Sequence, residues 1–426
     1  MNRYESYETT GLDWVSEIPE HWSLTRSKFI FRSKSVKNCP DEPLLSVTQK
    51  NGVILRSESD LNVWNPTEDV SGYKLIEPSN FVISLRSFEG GLELSTIKGI
   101  VSPAYTVLEK TTKINDGYFR WLMKSHQFII ELNKHVTGIR QGKNIGWDDF
   151  SNIYLTVPPI EEQKLISQYL DKKTSQIDSL VEKIKKKIYL LKEQRTSLIN
   201  HYVTKGLDPN VEMRDSGVEW IGEIPKHWTI KKIKHISQVK RGSSPRPIDD
   251  LRYFDEDGRY SWVRIADVSA SGKYLERTTE KLSELGSSLS TKMKPGDLFL
   301  SIAGTVGKPI ITKIECCIHD GFVWFDGLDI NNDYLYYLFL VGSCFQGLGK
   351  MGTQLNLNTD TVGDVQITFP SKKEQEKVVL HLEDDLGKMD QLIHFEQQKR
   401  HKLNEYRQSL ISSVVTGKVR ITEDMI

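Results

Sequence analysis

Two long stretches of the chain carry apolar residues at alternating spacings of four and three. The first series comprises Leu170, Ile177, Val181, Ile184, Ile188, Leu191, Leu198 and Tyr202. The second comprises Leu382, Leu386, Met389, Ile393, Leu403, Leu410 and Val414. Polar residues interrupt both series, namely Thr174 and Arg195 in the first and Glu396, Arg400 and Arg407 in the second. This heptad spacing predicts two long helices that pack their apolar seams together.

Proline precedes each predicted helix and glycine follows it. Pro159 aligns with Pro370, and Gly206 with Gly417, which suits a helix start and a helix end. About 44 residues at ~1.5 Å each would span roughly 65 Å, nearly two turns of B-DNA. The helices are therefore either a passive dimerisation coiled coil or, as we favour, a rigid spacer between two domains.

The helices belong to a duplicated chain. The box Gly11-Leu12-Asp13-Trp14…Ile18-Pro19-Glu20-His21-Trp22 returns as Gly217-Val218-Glu219-Trp220…Ile224-Pro225-Lys226-His227-Trp228. Glu162-Gln163 likewise returns as Glu374-Gln375. A repeat of about 200 residues is too long for a solenoid unit. Two like halves on one chain predict a pseudo-twofold arrangement, which would match the twofold symmetry of duplex DNA.

Short apolar runs between turn-forming residues predict a mixed α/β domain in each half. The predicted strands are 81–85, 153–157, 298–302 and 365–369, and the predicted helical segments are 117–132 and 332–340. The fold class is therefore α+β, with two globular α/β domains in tandem and two long coiled-coil helices. The predicted boundaries are 1–22 and 207–228 for the boxes, 23–157 and 229–369 for the domains, and 158–206 and 370–426 for the helices.

Composition places the chain among soluble, cytoplasmic proteins. No apolar run approaches a membrane span, no signal peptide is evident, and the four cysteines form no C-x-x-C pair. The net charge is zero, yet one run of basic residues without an acid follows each His-Trp: Arg26, Lys28, Arg32, Lys34 and Lys37 in the first half, and Lys231, Lys232, Lys234, Lys240, Arg241 and Arg246 in the second. Their recurrence favours an anionic partner such as DNA phosphates.

The two middle domains share a strand but differ in the loop after it. The first copy continues Arg86-Ser87-Phe88-Glu89-Gly90-Gly91, and the second Ala303-Gly304-Thr305-Val306-Gly307-Lys308. A second such slot pairs the loop 138–144 with 352–358. Arg, Lys, Asn and Gln side chains recognise base edges. The differing loops are therefore the candidate readers of sequence.

Motifs of catalysis are missing from the sequence. The segment from Gly304 to Pro309 is too short for a phosphate-binding loop, and Pro309 replaces the Ser or Thr that would follow the lysine and hold magnesium. There is no Asn-Pro-Pro-aromatic motif of adenine methyltransferases, and no convincing Pro-Asp…Asp/Glu-x-Lys motif of nucleases. His21 and His227 stand without a Cys/His/Asp cluster at metal spacing, so we expect them to be structural or docking residues.

The paired boxes, the Glu-Gln pairs and the tandem layout resemble the specificity (S) subunit of type I restriction–modification systems. The resemblance covers essentially the whole chain. It implies two target-recognition domains, each reading one half of an asymmetric, bipartite site in double-stranded DNA, and two long helices that pack antiparallel and set the spacer length. It also implies two methyltransferase (M) and two restriction (R) subunits as partners. The chain itself would bind no cofactor, and S-adenosylmethionine, ATP and magnesium would belong to those partners.

Combined with the loop analysis, the resemblance gives a set of candidate DNA contacts. They are Arg86, Ser87, Arg140, Gln141, Lys143, Asn144, Lys240, Arg241, Ser243, Ser244, Arg246, Arg264, Thr305, Lys308, Gln354 and Asn356. The candidate subunit-docking residues are Trp14, Trp22, Trp220 and Trp228. We also expect Glu396 and Arg400 to weaken the second seam and to favour local contact with M subunits over continuous helix pairing.

Two other classes of function stay open at this point. The chain could be an enzyme, such as the recognition part of a split type II restriction enzyme or methyltransferase; the purified chain would then cut or methylate DNA alone. It could also be a coiled-coil scaffold without DNA specificity, which would show no sequence preference even with M subunits present.

The loop assignment predicts a half-site-specific effect for Arg86→Ala and Arg140→Ala. Each change should relax base preference in one half of the site, because a bidentate arginine contact discriminates by about 1–3 kcal/mol. Binding to a library of half-site variants measures this. An equal loss of affinity on all sequences would instead identify a phosphate contact.

Overall fold

The chain folds into two compact units. A computed structural model describes residues 2–49, 51–59, 69–84, 87–135, 145–346, 348 and 357–426, without the side chain of Phe88. Unit 1 comprises Met1–Lys185 and Gln397–Ile426, and unit 2 comprises Lys186–Glu396. Both boundaries fall inside long helices. Each unit therefore contains one globular domain together with part of both helices.

Unit 1 is built on an antiparallel sheet with helices packed against it. Its strands are β1 (Tyr7–Leu12), β2 (Val15–Pro19), β3 (Ser23–Arg26), β4 (Phe31–Lys34), β5 (Leu45–Thr48), β6 (Gly52–Leu55), β7 (Lys74–Ile76), β8 (Phe81–Ile83), β9 (Glu93–Leu94), β10 (Gly99–Val101), β11 (Thr106–Lys110) and β12 (Tyr154–Val157). Its short helices are α1 (Ser87–Gly90), α2 (Asp116–Met123), α3 (His126–Lys134) and α4 (Trp147–Ser151). The main sheet has the order β4-β11-β8-β9.

Two helices, α2 and α3, occupy the segment predicted as helical around Gly117 to Leu132. The break falls at Ser125, whose hydroxyl accepts the backbone N–H of Phe128 and so caps α3. A serine at this position satisfies an N–H that the helix leaves unpaired. The apolar faces of both helices are buried in the core of unit 1.

Unit 2 begins within α5 (Ile160–Lys205) and ends within a second long helix, and it contains two main sheets. Its strands are β13 (Met213–Asp215), β14 (Glu223–Pro225), β15 (Thr229–Lys232), β16 (Gln238–Arg241), β17 (Tyr260–Val263), β18 (Tyr274–Leu275), β19 (Glu280–Leu282), β20 (Thr291–Met293), β21 (Leu298–Ser301), β22 (Pro309–Thr312), β23 (Cys316–Ile318), β24 (Phe322–Asp326) and β25 (Gln366–Phe369). Its other helices are α6 (Ile265–Ala270), α7 (Glu284–Ser288), α8 (Asn332–Val341), α9 (Thr359–Gly363) and α10 (Lys372–Val415).

The sheets of the two units share a common part. In unit 2 the sheet order is β16-β24-β21-β22-β18, and its first three strands pair as β4, β11 and β8 do in unit 1. The predicted strands 81–85 and 298–302 are thereby confirmed, over their described residues, as the buried strand that the two domains share. A second sheet of order β19-β17-β23-β20 adds to unit 2. The predicted α+β class is confirmed.

The two long helices follow the predicted heptads closely. α5 contains 46 residues and α10 contains 44. Ion pairs between them have a consistent antiparallel register, with Arg195 on Asp390 at 3.0 Å in unit 2 and Arg407 on Asp178 at 2.9 Å in unit 1. Two of the arginines that interrupt the apolar series, Arg195 and Arg407, thus reach an aspartate on the facing helix.

Glu396 corrects one expectation about the second seam. Its side chain is buried, and it accepts a hydrogen bond from Lys187 on the facing helix at 2.5 Å. Neighbouring seam residues Ile188 and Ile393 are also buried. The polar residue therefore takes part in helix pairing and does not interrupt it, because a buried carboxylate with a charged partner can occupy a seam position.

The structure also shifts the sequence alignment of the two long helices at their starts by one residue. The Gln163 side chain donates to the backbone oxygen of Pro158 at 2.8 Å, and that of Gln375 donates to Pro370 at 2.9 Å. Pro370 therefore corresponds to Pro158, and matching it with Pro159 was wrong by one residue. The counterpart of Pro159 is Ser371, which caps its helix through Glu374.

Candidate nucleic-acid interface

The repeated His-Trp pair binds the first turn of a long helix in each unit. In unit 1 the Glu162 carboxylate lies 2.6 Å from Nε2 of His21 and accepts the indole N–H of Trp22 at 3.0 Å. It also accepts the hydroxyl of Tyr4 at 2.8 Å. A carboxylate in the first helical turn is further favoured by the helix dipole. The box is thus fastened to the start of α5.

Unit 2 repeats this junction at the start of α10. The Glu374 carboxylate lies 2.6 Å from Nε2 of His227 and accepts the indole N–H of Trp228 at 3.1 Å. Ser371 supplies a hydroxyl at 2.7 Å where unit 1 uses Tyr4. Partial burial opposes ionisation of Glu374, but the bonds from His227, Ser371 and Trp228 outweigh it and lower its pKa to about 2.

The next residue along, a buried glutamine, fastens the domain to the same helix start. Gln163 accepts the backbone N–H of Asn115, which caps α2, at 2.8 Å. Gln375 accepts that of Asn331, which caps α8, at 2.9 Å. Each glutamine thus joins the start of a long helix to the cap of a domain helix.

The far end of the other long helix is held in the same domain. In unit 1 the carbonyl of Val415 in the last turn of α10 accepts the hydroxyls of Tyr118 at 3.1 Å and Thr156 at 3.0 Å. In unit 2 the carbonyl of Val203 near the end of α5 accepts those of Tyr334 at 2.9 Å and Thr368 at 2.6 Å. The last carbonyls of a helix need such partners when they are buried.

The repeated tryptophans contribute to these junctions. Trp14, Trp22 and Trp228 are buried, with 6%, 3% and 2% of their surfaces exposed, and Trp220 is partly buried against Ile221, Ile224 and Trp228. Their packing holds the boxes within each unit. A role in docking partner subunits stays a prediction.

Several candidate DNA contacts fall outside the described residues. They are Arg86, Arg140, Gln141, Lys143 and Asn144 in the first half of the chain, and Gln354 and Asn356 in the second. Ser87 is described, but it is 1% exposed and its hydroxyl accepts the backbone N–H of Ser84 at 2.8 Å. The expectation for Ser87 is therefore corrected, because its hydroxyl stabilises the turn that begins α1.

Unit 2 gathers five of the predicted contacts around one turn. The turn His319–Gly321 joins β23 to β24, beside the ends of β16, β17 and β21. Around it lie Arg241, Ser243, Ser244, Arg246 and Arg264, which follow or end these strands. Ser243 pairs with Thr291 at 3.0 Å. Predicted residues that are up to 23 positions apart in sequence thus meet at one end of the domain.

Asp320 is the acidic residue at the centre of this turn. Its carboxylate accepts Nη2 of Arg246 at 2.9 Å and the hydroxyl of Ser244 at 3.4 Å. Its backbone oxygen accepts Nε of Arg241 at 2.6 Å. Sequence reasoning missed Asp320 because it searched for basic and amide side chains. A polar His-Asp-Gly turn between two apolar strands was the available signal.

Thr305 lies in the loop that differs between the two halves. Its hydroxyl pairs with that of Ser269 on α6 at 2.6 Å. The loop approaches α6 closely at Gly304, which has φ +64° and where a Cβ would lie 2.8 Å from Ile265. Glycine permits both the backbone conformation and the approach. In unit 1 the same slot contains α1, so the two loops differ in structure as well as sequence.

Other basic candidates are already occupied within the chain. Lys308 donates to the backbone oxygens of Ser269 and Ser271 at 3.1 and 2.7 Å, and burial lowers its pKa. Its ammonium thus satisfies carbonyls at the end of α6, and a contact of Lys308 with DNA stays a prediction. Lys240 pairs with Asp326, and Arg264 with Glu280.

Acidic partners also neutralise much of the two basic runs. Arg32 and Lys34 pair with Glu109, and Lys232 and Lys234 pair with Asp364. The runs were expected to be open patches for phosphates. Glu77 also pairs with Lys34, so two carboxylates balance Arg32 and Lys34. Among the described residues, Asp364 alone serves Lys232 and Lys234 and leaves that pair with one net positive charge. The expected open patch is therefore not supported for the first pair.

The described residues contain neither a candidate metal site nor a candidate membrane-spanning helix. No group of three or more His, Cys, Asp or Glu side chains among them is placed to hold a metal ion. None of their helices is long and apolar enough to cross a membrane.

Comparisons with known proteins identify the family. A family model described as "Type I restriction modification DNA specificity domain" matches residues 26–190 and 225–405. These two matches cover more than half of the chain and follow its duplication, so the chain belongs to this family. Its role is that of a DNA sequence-specificity subunit, and the resemblance drawn from the boxes and the tandem layout is confirmed.

Individual relatives agree with this assignment. The type I restriction enzyme MjaVIII specificity subunit of Methanocaldococcus jannaschii is 26% identical over 76% of this chain and 75% of its own length. The putative MjaX specificity subunit of the same organism is 20% identical over 96% of both chains.

Solved structures share the fold. A chain from a study of complex assembly and conformational transition of a type I R-M system has a TM-score of 0.74 at 15% identity, covering 94% of this chain and 99% of that one. The HsdS subunit from Thermoanaerobacter tengcongensis has a TM-score of 0.57 at 14% identity, covering 94% and 98%.

The Glu374 junction predicts a pH-dependent contribution to stability. Because its pKa is lowered in the folded state, this contribution is complete above the ordinary pKa of 4.5 and is lost as the pH falls through about 2. Glu374→Gln should lower the free energy of unfolding at neutral pH by roughly 1–3 kcal/mol, since bonds to a charged acceptor are weakened.

Urea unfolding of the full chain between pH 7 and pH 2 measures the difference. The difference in the free energy of unfolding between wild type and Glu374→Gln should become smaller below pH 4.5. Glu376→Gln is the matched control, because it removes the same charge from an exposed position on the same helical turn. Parallel pH profiles for wild type and Glu374→Gln would contradict the assignment.

Proposed function

We propose that the domain of each unit reads one half of an asymmetric, bipartite site in double-stranded DNA. The supporting observation is a contrast between the units. The junctions with the long helices correspond in both, with a histidine and a tryptophan on Glu162 and on Glu374. The loops after the shared strand differ, with α1 in unit 1 and the Gly304 turn in unit 2. Different loops on one frame should recognise different bases.

The end of unit 2 around Asp320 is the part of the described surface that best suits DNA. Arg241 and Arg246 are exposed there beside Ser243 and Ser244. Guanidinium groups and hydroxyls are the donors that recognise base edges and phosphates. Asp320 leaves the pair of arginines with a net positive charge, which favours a polyanion.

Two M subunits are the proposed partners of the long helices. Leu180 on α5 and Leu392 on α10 occupy equivalent positions of the repeat, each 18 residues after the Glu of its helix start. They remain 48% and 39% exposed. Exposed apolar side chains at equivalent sites suit two copies of the same partner. Two R subunits would join this assembly.

Catalysis belongs to those partners in this proposal. The M subunits would methylate adenine with S-adenosylmethionine, and the R subunits would use ATP and magnesium. The chain would supply recognition and spacing in the cytoplasm. Its helices run without interruption from one unit into the other, which suits the spacer role expected from their length.

Methylome sequencing of the host with and without this gene tests the proposal. Deletion should abolish methylation at one motif, made of two unlike specific parts separated by a non-specific gap, and the reintroduced gene should restore it. Methylation that persists unchanged, or a lost motif that is continuous and palindromic, would contradict the proposal. DNA cleavage or methylation by the purified chain alone would favour the enzyme alternative.

A further inference from the structure

We propose that Asp320 is a positioning residue for sequence recognition, which orients Arg241 and Arg246 to read guanine in the second half-site. This inference rests on the proposed function of unit 2. It assigns part of the specificity of that unit to an acidic residue that does not itself contact DNA.

Asp320 uses different atoms to hold the two arginines. Its carboxylate Oδ2 accepts Nη2 of Arg246 at 2.9 Å, while its backbone oxygen accepts Nε of Arg241 at 2.6 Å. Oδ1 accepts the Ser244 hydroxyl at 3.4 Å. One residue therefore holds three side chains of the 241–246 segment, those of Arg241, Ser244 and Arg246.

The turn that carries Asp320 is itself rigid. His319 packs against Phe322 at 4.6 Å and Trp262 at 5.8 Å between ring centroids, and its Nδ1 accepts the backbone N–H of Gly321 at 2.8 Å. Gly242 lies so close to the turn that a Cβ there would stand 2.2 Å from the His319 oxygen. The anchor is thus held by the core of the unit, which is what a positioning residue requires.

The bonds to Asp320 leave enough donors for a base. A guanidinium has five N–H groups in a planar fork. Arg241 uses its Nε, so both terminal nitrogens remain for a bidentate contact. Arg246 uses one N–H of Nη2, and 70% of its side-chain surface is exposed. Paired arginine donors match O6 and N7 of guanine, the commonest specific contact in the major groove.

Simple charge neutralisation is the rival explanation for these contacts. Asp364 provides a matched case, since its carboxylate pairs with Lys232 and Lys234 at 2.9 and 2.8 Å. Those lysines lack the planar fork that makes direction important. Removing Asp364 should change charge by the same amount as removing Asp320 without changing recognition of one half-site.

The test uses the chain assembled with its M subunits and the motif found by methylome sequencing. Binding is measured for DNA with each base pair of both half-sites changed singly, and with 7-deazaguanine at each guanine. The single variants are Asp320→Ala, Asp320→Asn, Arg241→Ala and Arg246→Ala, with Asp364→Ala as the control. Two double variants combine Asp320→Ala with Arg241→Ala and with Arg246→Ala. Thermal unfolding of each complex checks that the unit remains folded.

Asp320→Ala should reduce discrimination at the guanine that Arg246 reads about tenfold or more, with the first half-site unchanged. The backbone oxygen that accepts Nε of Arg241 is retained in this variant, so the guanine that Arg241 reads should be affected less. Asp320→Asn should lose less, because its amide oxygen still accepts a hydrogen bond. Asp320→Ala combined with Arg246→Ala should be no worse at the affected guanine than Arg246→Ala alone, since the Asp320 carboxylate acts through Arg246. Removing N7 should weaken binding by wild type and not by the arginine variant.

Each contrary result has its own meaning. If Arg246→Ala abolishes a guanine preference while Asp320→Ala leaves it intact, or if these two effects add, the positioning role of the Asp320 carboxylate is wrong and the proposed function stands. If neither arginine affects the second half-site, or that half-site lacks a G·C pair, the reading role of this surface is wrong. If the wild-type complex prefers no bipartite site, the proposed function itself fails.

Discussion

The structure depends on how the ends of the two long helices are held. Each domain binds the start of one long helix through a carboxylate, Glu162 or Glu374, and the end of the other through paired hydroxyls on the carbonyl of Val415 or Val203. Helix ends carry unpaired backbone groups and partial charges, so they are where a domain can be fixed in direction as well as in place. A domain fixed at two helix ends cannot swivel without breaking several buried bonds.

This constraint explains which parts of the two halves agree. His21 and His227, Trp22 and Trp228, and Gln163 and Gln375 all serve the junctions, and all are repeated. The residues around the turn at Asp320 have no such duty, and unit 1 has Ser102, Pro103 and Ala104 before β11 where unit 2 has His319, Asp320 and Gly321 before β24. This division suits the proposed function, in which the frame docks two copies of one partner and the reading surfaces bind different bases.

Much of the frame could be predicted from sequence, since heptads and alternating apolar runs report directly on burial. The seam from Leu170 to Tyr202 and the strand at Phe81 are examples. Hydrogen-bond partners have no such periodic signal. Ser87 and Lys308 therefore looked like DNA contacts although their polar groups are used inside the fold, and Glu396 looked like an interruption although Lys187 faces it. Asp320 could not be selected because its importance comes from Arg241 and Arg246, which lie more than 70 positions earlier in the chain.

The central claim is that the repeated boxes form a frame and that the differing loops carry specificity. The most direct measurement exchanges each separately and sequences the methylome of cells that carry the altered gene. Replacing residues 217–228 by residues 11–22 should leave the methylated motif unchanged. Replacing residues 303–307 by residues 86–90 should change or abolish recognition of one half-site and preserve the other. A changed motif after the box exchange, or an unchanged motif after the loop exchange, would contradict the account.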